Sequence, residues 1–511
     1  MKRNIIYILM IAVLSCTTSC LDKYPEYAVL EGEAITNVEE ANQAVIGIYS
    51  SFLSSALYSG YLTLMPDIQS DFVYAVNGYS NNLGDIWRWN ILATNGEIEA
   101  VYGSLYSLIG RCNFLLDNAA KLMPKLVDDE DIEELETLCG EAYFARALAY
   151  SELIKLFCED YKSDEDAQQK LGVVVRTSYY KEQPIERSTL YKSYQQVLSD
   201  LDKAAEYLAL DEDYDPAVNG YLYDYSLYFN EYTVYALRAR VALYMRNYED
   251  AIKYSSKIID SGYYELSTVT PLSSLGNISY YDYMWQYDYS TEIIWMVGFT
   301  TTNYGGALGS VFFNYDYRAC KPDYVPAQWV LNLFDENDGR TKALFGENAV
   351  TTGYSHGLTW PLLYKYWGNQ DFISQQILHT SMPKVFRLSE QYLIRAEAYC
   401  KQETPDYNKA GNDISTLRAA RYLTGSSGAV NADNAMDVIE EERVKELYME
   451  GFRLQDLKRW GKGFERNPQD QSLSNGSSLK VNAENPLFVW PIPQHELESP
   501  GANIKPNKSN K

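Results

Sequence analysis

The chain of 511 residues has few of the patterns on which catalysis and metal binding usually depend. Its three histidines, His356, His379 and His495, show no zinc-binding spacing such as HExxH. A GxSxG nucleophile motif and a glycine-rich phosphate loop are also missing. The sequence therefore gives little support for an enzyme and implies no cofactor, although 69 acidic residues leave a glycosidase carboxylate pair open.

Positive charge and paired cysteines are also scarce. The chain has 44 Lys and Arg against 69 Asp and Glu, a formal net charge of −25. Nucleic acid is not an expected partner, because neutralising phosphates needs Lys and Arg. Five cysteines beyond the N-terminal region form no CxxC pair, and we expect them to be small buried residues. These are Cys112, Cys139, Cys158, Cys320 and Cys400. Acidic loops such as 211–215 lack the EF-hand pattern, so we expect no metal site.

No apolar stretch is long enough to span a bilayer. Ile5–Leu14 is a run of ten apolar residues that follows Lys2 and Arg3, which is typical of a signal peptide. Small residues and then Cys20 come next, an order that resembles a lipoprotein signal. We expect residues 1–19 to be removed and Cys20 to be acylated, which would anchor the exported protein to the membrane. An ordinary secretory signal is the alternative.

Most of the remaining sequence is predicted to be helical. Apolar residues recur at spacings of three and four over 133–157 and 190–208, so each segment has one apolar helical face. Residues 231–264 and 387–422 each consist of a helix, a turn and a second helix, and small residues on the first helix favour close packing, as in tetratricopeptide pairs. A helix over 105–122 could pair with the one over 133–157.

Long stretches without helical periodicity separate these hairpins. They are rich in Tyr, Trp, Asn, Gly and Asp, and comprise Ser59–Asn95, Asp211–Phe229, Leu266–Leu331 and Ala343–Lys384. Loops of this length within a compact domain are usually functional. The helices are therefore interpreted as a scaffold and the insertions as the site.

Several motifs occur in an order that resembles the SusD/RagB family of outer-membrane lipoproteins, which pair with TonB-dependent transporters. They are the start at Cys20, EAYFARA at 141–147, RAEAY at 395–399, ERxxELxxEGxRxxDLxRWG at 442–461 and PIP at 491–493. Each is weakly specific alone, but together they extend over nearly the whole chain. The charges of 442–461 are interpreted as a structural ion-pair network that fixes the last helix to the hairpins.

The resemblance implies a mainly α fold in which tetratricopeptide-like helical hairpins form a scaffold and loop-rich insertions carry the ligand site. One domain would cover 20–511. Its hairpins would lie at about 97–265 and 385–461 and its insertions at about 59–95 and 266–384. The implied function is non-catalytic: capture of an oligosaccharide at the outer membrane and delivery to a TonB-dependent transporter. Peptide capture within the same family, or a scaffold that binds only proteins, are the alternatives.

Sugars are bound by aromatic rings stacked on their C–H faces and by short polar side chains that contact their hydroxyls. The first insertion offers residues of both kinds, and Asp67 and Asp71 match the part of the family that carries ligand contacts. The candidates in both insertions are Asp67, Asp71, Asn81, Trp87, Trp89, Asn90, Tyr283, Trp285, Asn303, Tyr304 and Tyr315. We expect the aromatic ones to be exposed, although most of the 47 tyrosines could be packing residues. Acidic loops disfavour a strongly anionic glycan, while N-acetyl-sugar glycans and glucans stay open.

Overall fold

Helices make up most of the described chain, as predicted. The computed structural model describes residues 34–76, 80–210, 226–313, 321–348, 360–425, 429–466 and 479–510. Its α-helices are α1 Val38–Ser51, α2 Tyr61–Ile68, α3 Gly84–Trp87, α4 Gly96–Leu122, α5 Asp129–Phe157, α6 Asp164–Gln169, α7 Leu190–Tyr207, α8 Glu231–Tyr244, α9 Tyr248–Ile259, α10 Tyr280–Tyr287, α11 Ser310–Phe313, α12 Gln328–Leu331, α13 Arg340–Leu344, α14 Gln370–Ser374, α15 Leu388–Lys401, α16 Tyr407–Arg421, α17 Ala435–Glu446, α18 Arg453–Trp460 and α19 Gln494–Glu498. In the described ranges, none of these helices has the length and apolar character needed to cross a membrane.

Short strands join segments that are distant in sequence. They are β1 Val73–Ala75, β2 Leu171–Val174, β3 Arg187–Thr189, β4 Ile293–Met296, β5 Tyr324–Pro326, β6 Phe345–Asn348, β7 Trp360–Leu363, β8 Lys384–Arg387, β9 Phe464–Arg466 and β10 Leu479–Val481. They form the antiparallel pairs β1–β5, β2–β3, β4–β8, β6–β7 and β9–β10. Single 3-10 turns occur at Met123–Lys125, Ser273–Leu275, Tyr364–Tyr366 and Pro486–Phe488.

The predicted helical hairpins are present. The segment 231–264 contains α8 and α9, and 387–422 contains α15 and α16. In each hairpin a polar side chain caps the second helix: the Asp250 backbone N–H donates to Asn247, and that of Lys409 donates to Asp406. Such caps satisfy backbone donors that would otherwise have no partner at the helix start. The buried alanines of α8 lie in one cluster with residues of α15, so the two hairpins pack together.

Helices α4 and α5, here called the first hairpin, contribute many residues to the main core. Helix α5 packs between α4 and α7, and its C-terminal half is almost wholly buried. Arg146 on α5 is buried and donates two hydrogen bonds to Asp200 on α7, at 2.5 and 2.9 Å. A buried guanidinium needs such a partner because desolvation of an unpaired charge is costly. The described cysteines Cys112, Cys139, Cys158 and Cys400 are buried and unpaired, as expected.

A buried ion-pair network joins the second insertion to the hairpins. Glu446 accepts from Arg387 and Arg421, both at 2.8 to 2.9 Å, and both arginines also donate to Glu292. Burial alone would raise the pKa of Glu446, but the surrounding arginines outweigh it and hold the pKa well below its usual range. Arg459 on α18 pairs with Glu397 on α15. The interpretation of 442–461 as a structural network is therefore confirmed.

Candidate functional site

The structure brings the two predicted insertions together. Strand β1 of the first insertion pairs with β5 of the second, with Tyr74 opposite Val325. Beyond the strands, the side chain of Asp323 accepts from the backbone N–H and the hydroxyl of Ser80, at 2.6 and 2.7 Å. Tyr324 donates its hydroxyl to the Asn82 carbonyl at 2.6 Å. Residues 323–326 of the second insertion thus lie against residues 73–82 of the first.

The two aspartates proposed as ligand contacts serve the scaffold instead. Asp67 is fully buried and accepts from the backbone N–H groups of Gly451 and Arg453, at 2.8 and 2.9 Å. Asp71 is also buried and accepts two hydrogen bonds of 2.9 Å from the Arg453 guanidinium. Burial raises the pKa of Asp67 to about 7. The expectation that these carboxylates face a ligand is wrong, because both are used to hold the start of α18.

The tryptophans of the first insertion are packing residues. Trp87 and Trp89 are only 2% and 8% exposed. Their indole N–H groups donate to the carbonyls of Val73 and Gln69, at 3.2 and 2.6 Å. The Arg466 guanidinium lies 4.5 Å from the Trp87 ring centre. The expectation of exposed tryptophan rings is wrong here, since burial leaves no ring face for a sugar.

Trp285 of the second insertion is likewise buried, at 4% exposed. Three cationic groups surround its ring: Lys365 at 4.2 Å, Lys384 at 4.9 Å and Arg387 at 5.4 Å from the centre. An aromatic face attracts cations through its quadrupole, and the attraction grows when the pair is desolvated. Trp285 therefore stabilises the charged interior and is not the exposed platform expected from sequence.

Part of the first insertion does form a polar surface, here called the 81–90 surface. Asn81 and Asn90 are exposed, as are Asn82 and Asp85, and Arg88 is partly exposed. Arg88 links this group, because its Nη1 donates to the Asn81 side chain at 2.8 Å and its Nη2 to Asp85 at 2.9 Å.

The backbone of the 81–90 surface has an unusual conformation. Asn81, Leu83 and Trp89 have φ values of 68°, 55° and 59°, a left-handed conformation uncommon outside glycine. A Cβ at Gly84 would lie 2.2 Å from the Asn81 side-chain oxygen, so a larger residue there would displace the Asn81 and Arg88 side chains. The amide and guanidinium groups are therefore held in fixed positions at the surface, which suits hydrogen bonding to a polar ligand.

The second insertion presents tyrosines to solvent. In the described ranges the large exposed aromatic side chains are all tyrosines, and three of the five lie in this insertion: Tyr280 at 53%, Tyr289 at 47% and Tyr304 at 46%. Tyr283 is half-buried and stacks on Tyr287, with ring centres 4.5 Å apart, while Tyr289 meets its edge at 6.2 Å. Tyrosine suits such positions because its ring is apolar and its hydroxyl is polar.

Asn303 and Tyr304 lie in a tight turn beside the start of the first insertion. Asn303 is exposed and pairs with Thr300 through two backbone hydrogen bonds of 2.9 and 3.2 Å. The next two residues are glycines because a Cβ at Gly305 or Gly306 would come within 2.7 Å of Ser59. The predicted residues thus form three groups with different neighbours. The 81–90 surface lies beside the strand pair β1–β5, Tyr283 lies on α10, and Tyr304 lies near Ser59. Tyr315 and Cys20 lie outside the described residues.

A cleft of 760 Å³ lies between helix ends, and no motif in the sequence pointed to it. Seven separate segments line it, and none of the candidate residues does. In the described ranges, no group of three or more His, Cys, Asp or Glu side chains is arranged to hold a metal ion.

Two family models match the chain. One is described as "SusD family" and matches residues 346–507, and the other as "Starch-binding associating with outer membrane" and matches residues 21–243. The first covers the hairpin α15–α16, and the second covers α4, α5 and α7.

Similar proteins include SusD-like protein P25 of Formosa agariphila, which is 23% identical over 90% of each chain. The starch-binding protein SusD of Bacteroides thetaiotaomicron is 28% identical over 32% of this chain and 29% of its own. A solved SusD superfamily protein from Bacteroides thetaiotaomicron superposes with a TM-score of 0.76 at 25% identity, covering 92% of this chain and 99% of that one. Helical hairpins, short strand pairs and inserted loops define a SusD-like fold. The chain belongs to the SusD/RagB family.

Proposed function

We propose that this protein captures oligosaccharides at the cell surface and delivers them to a TonB-dependent outer-membrane transporter. The main observation in support of this proposal is that three tyrosines of the second insertion are exposed: Tyr280, Tyr289 and Tyr304. Tyr289 packs on Tyr283, which stacks on Tyr287, and contiguous exposed aromatic groups of this kind mark interaction surfaces. Similarity to the starch-binding protein SusD supports a carbohydrate as the ligand.

The proposed ligand contacts keep only the predicted residues that reach the surface, and they add Arg88 and Tyr289. Asn81 and Asn90 with Arg88 supply fixed amide and guanidinium groups on the first insertion. Tyr283, Tyr304 and Asn303 supply rings and an amide on the second. In this proposal the sugar stacks on tyrosine rings and not on the tryptophans expected from sequence. The amides donate and accept the hydrogen bonds to sugar hydroxyls. The role proposed is binding, without bond cleavage.

A glycan array of the mature protein, followed by calorimetry with the selected glycan, tests this function. Tyr289→Ala and Tyr304→Ala should each weaken binding, with no change of melting temperature. Tyr179→Ala is the matched control, because Tyr179 is also exposed, at 54%, but lies outside both insertions. If the control weakens binding as much as the other two variants, the proposed surface is wrong. Slow cleavage of the glycan by the pure protein would show an enzyme instead.

The membrane anchor is tested separately. Cys20 follows a short apolar segment and small residues, the order expected for acylation. Cys20→Ala should therefore move the protein from the outer-membrane fraction to the soluble fraction in cells without the transporter. If the variant stays with the membrane in such cells, the protein is anchored in another way.

A further inference from the structure

The cleft of 760 Å³ lies where the C-terminal ends of four helices meet, namely α5, α8, α15 and α18. Segments after β10 and near the chain end complete its wall. The volume lies within the range of small-molecule sites in proteins. The cleft is separate from the two insertions, so it is a second candidate site on the scaffold.

Basic residues outnumber acidic ones in this cleft, the reverse of the whole chain. The basic residues are Lys162, Lys170, Arg246, Lys401, Lys458, Arg459, Lys462 and Lys508. The acidic residues are Glu159, Asp160, Asp166, Glu397 and Glu484. The whole chain has 44 basic against 69 acidic residues. An anionic ligand, which the net charge of the chain repels, would therefore meet a more favourable charge balance in the cleft.

Several of these cations have a structural role. Helix C-terminal ends carry partial negative charge and unpaired carbonyls, which cations stabilise. Lys458 donates to the carbonyls of Lys155 and Cys158, at 2.5 and 3.0 Å. Arg246 donates to the Arg459 carbonyl at 3.1 Å and to Asp160 at 2.6 Å. These groups are satisfied and explain why basic residues gather here.

Two other lysines of the cleft make no such hydrogen bond to a helix end. Lys162 follows α5 and Lys401 ends α15, so they come from different walls of the cleft. Both are exposed, and neither has a hydrogen bond or ion pair within the described ranges. Lys401 lies in the last turn of α15 and so complements that helix end, but neither ammonium group is engaged by a carboxylate or a carbonyl, and both are therefore available to an anionic group bound between the walls.

The cleft also has an aromatic wall. Trp460 is half-buried, and its indole N–H donates to Glu397 at 2.9 Å, which fixes the orientation of the ring. Tyr248 and the half-buried amide of Asn485 lie on the same lining. The hydroxyl of Tyr244, which also lines the cleft, is buried without a hydrogen-bond partner. Aromatic rings, an amide and unpaired ammonium groups together match a sugar ring that carries a carboxylate.

We infer that this cleft is a second ligand site, which takes an oligosaccharide of carboxylate-bearing sugars. The inference rests on the proposed carbohydrate-binding function and extends it to an acidic class of ligand. It also reverses the expectation from sequence that anionic glycans are disfavoured, because the basic residues come from separate segments and show no cluster along the chain.

Calorimetry with a tetramer of galacturonic acid, and with a neutral glucan tetramer of equal length, tests the inference. Wild-type protein should bind the acidic tetramer more tightly, and added salt should weaken that binding. Lys162→Glu with Lys401→Glu should lower the affinity for the acidic tetramer by about tenfold or more, because two attractions become repulsions. The same positions changed to Arg should keep the binding.

Matched controls separate this cleft from general charge effects. Lys125→Glu with Lys342→Glu makes the same change of net charge at exposed lysines outside the cleft, and should leave the affinity nearly unchanged. Equal losses in both double variants would overturn the inference, as would tighter binding of a glutamate tetrapeptide than of the acidic sugar. Binding of glycans by the protein with no effect of the cleft variants would overturn only this inference. Binding of no glycan at all would overturn the proposed function as well.

Discussion

The helical hairpins and the second insertion have interiors of different chemistry. Hairpin α8–α9 is packed with small apolar residues such as Ala239, Ala242 and Ala251, which let helix backbones approach closely. The interior of the second insertion instead holds a buried tryptophan, Trp285, among cations, beside a network of arginines and glutamates. Close packing of small residues is therefore prominent in α8–α9, where Arg240 also pairs with Glu390 of α15, while Glu292 of the insertion depends on arginines far away in sequence.

The largest effect is expected where the network joins the two regions. Arg421→Met should lower the free energy of unfolding by about 3–5 kcal/mol, because Glu292 and Glu446 lose a buried partner. The measurement is chemical denaturation at neutral pH, with the exposed Lys125→Met as control. Equal midpoints for the two variants would show that the network contributes little.

The stability difference between wild type and Arg421→Met should also depend on pH. The pKa of Glu446 is held below its ordinary value of 4.5, so its pairing stabilises the folded state above that pH. As pH falls below about 4.5 and the unfolded state takes up a proton, that stabilisation is lost. The difference between wild type and Arg421→Met should therefore shrink in acid. A constant difference from pH 7 to pH 3 would contradict this.

Within the second insertion, Trp285→Ala separates packing from binding. Loss of this buried ring should lower stability by about 3–5 kcal/mol, as for other buried tryptophans. Glycan affinity should fall only as far as the folded fraction falls. Thermal melting and calorimetry on the same sample measure both quantities. If the variant loses affinity while its melting temperature is unchanged, Trp285 contacts the ligand and the packing role assigned to it is wrong.

A smaller effect is expected inside the first hairpin. Glu141 is buried and accepts from the Tyr49 hydroxyl at 2.6 Å, and burial raises its pKa to about 7. A raised carboxyl pKa means that ionisation destabilises the folded state, so stability is lost as pH rises from about 4.5 to 7. Glu141→Gln should remove this loss, making the variant more stable relative to wild type at pH 8 than at pH 4, by on the order of 1–3 kcal/mol. An equal difference at both values would show that Glu141 does not titrate in this range.

The sequence predicted the hairpins well because their signal is local. The spacing of Ala236, Ala239 and Ala242 and the turn at Asn247 lie within one segment of chain. The family resemblance extended this to a SusD-like fold, which the structure and the comparisons confirm.

The candidate site was only partly predictable. Asp67 and Trp89 have the residue types of a sugar site, but their burial comes from Arg453, Phe464 and Phe488, far along the chain. A tryptophan in a loop is exposed or buried according to such partners, and sequence spacing does not contain them. The amides of Asn81 and Asn90 and the ring of Tyr304 do reach the surface, so they stay in the proposal.

The most direct measurement is calorimetry of Tyr289→Ala with Tyr304→Ala, using the glycan that the array selects. A single sugar-stacking ring contributes about 1–3 kcal/mol, by analogy with stacking on nucleic-acid bases. The double variant should therefore bind at least about tenfold more weakly than wild type, with its melting temperature unchanged because both rings are exposed. Tyr179→Ala should bind like wild type. Normal affinity in the double variant, or a loss matched by Tyr179→Ala, would contradict the assignment of glycan capture to the tyrosines of the second insertion.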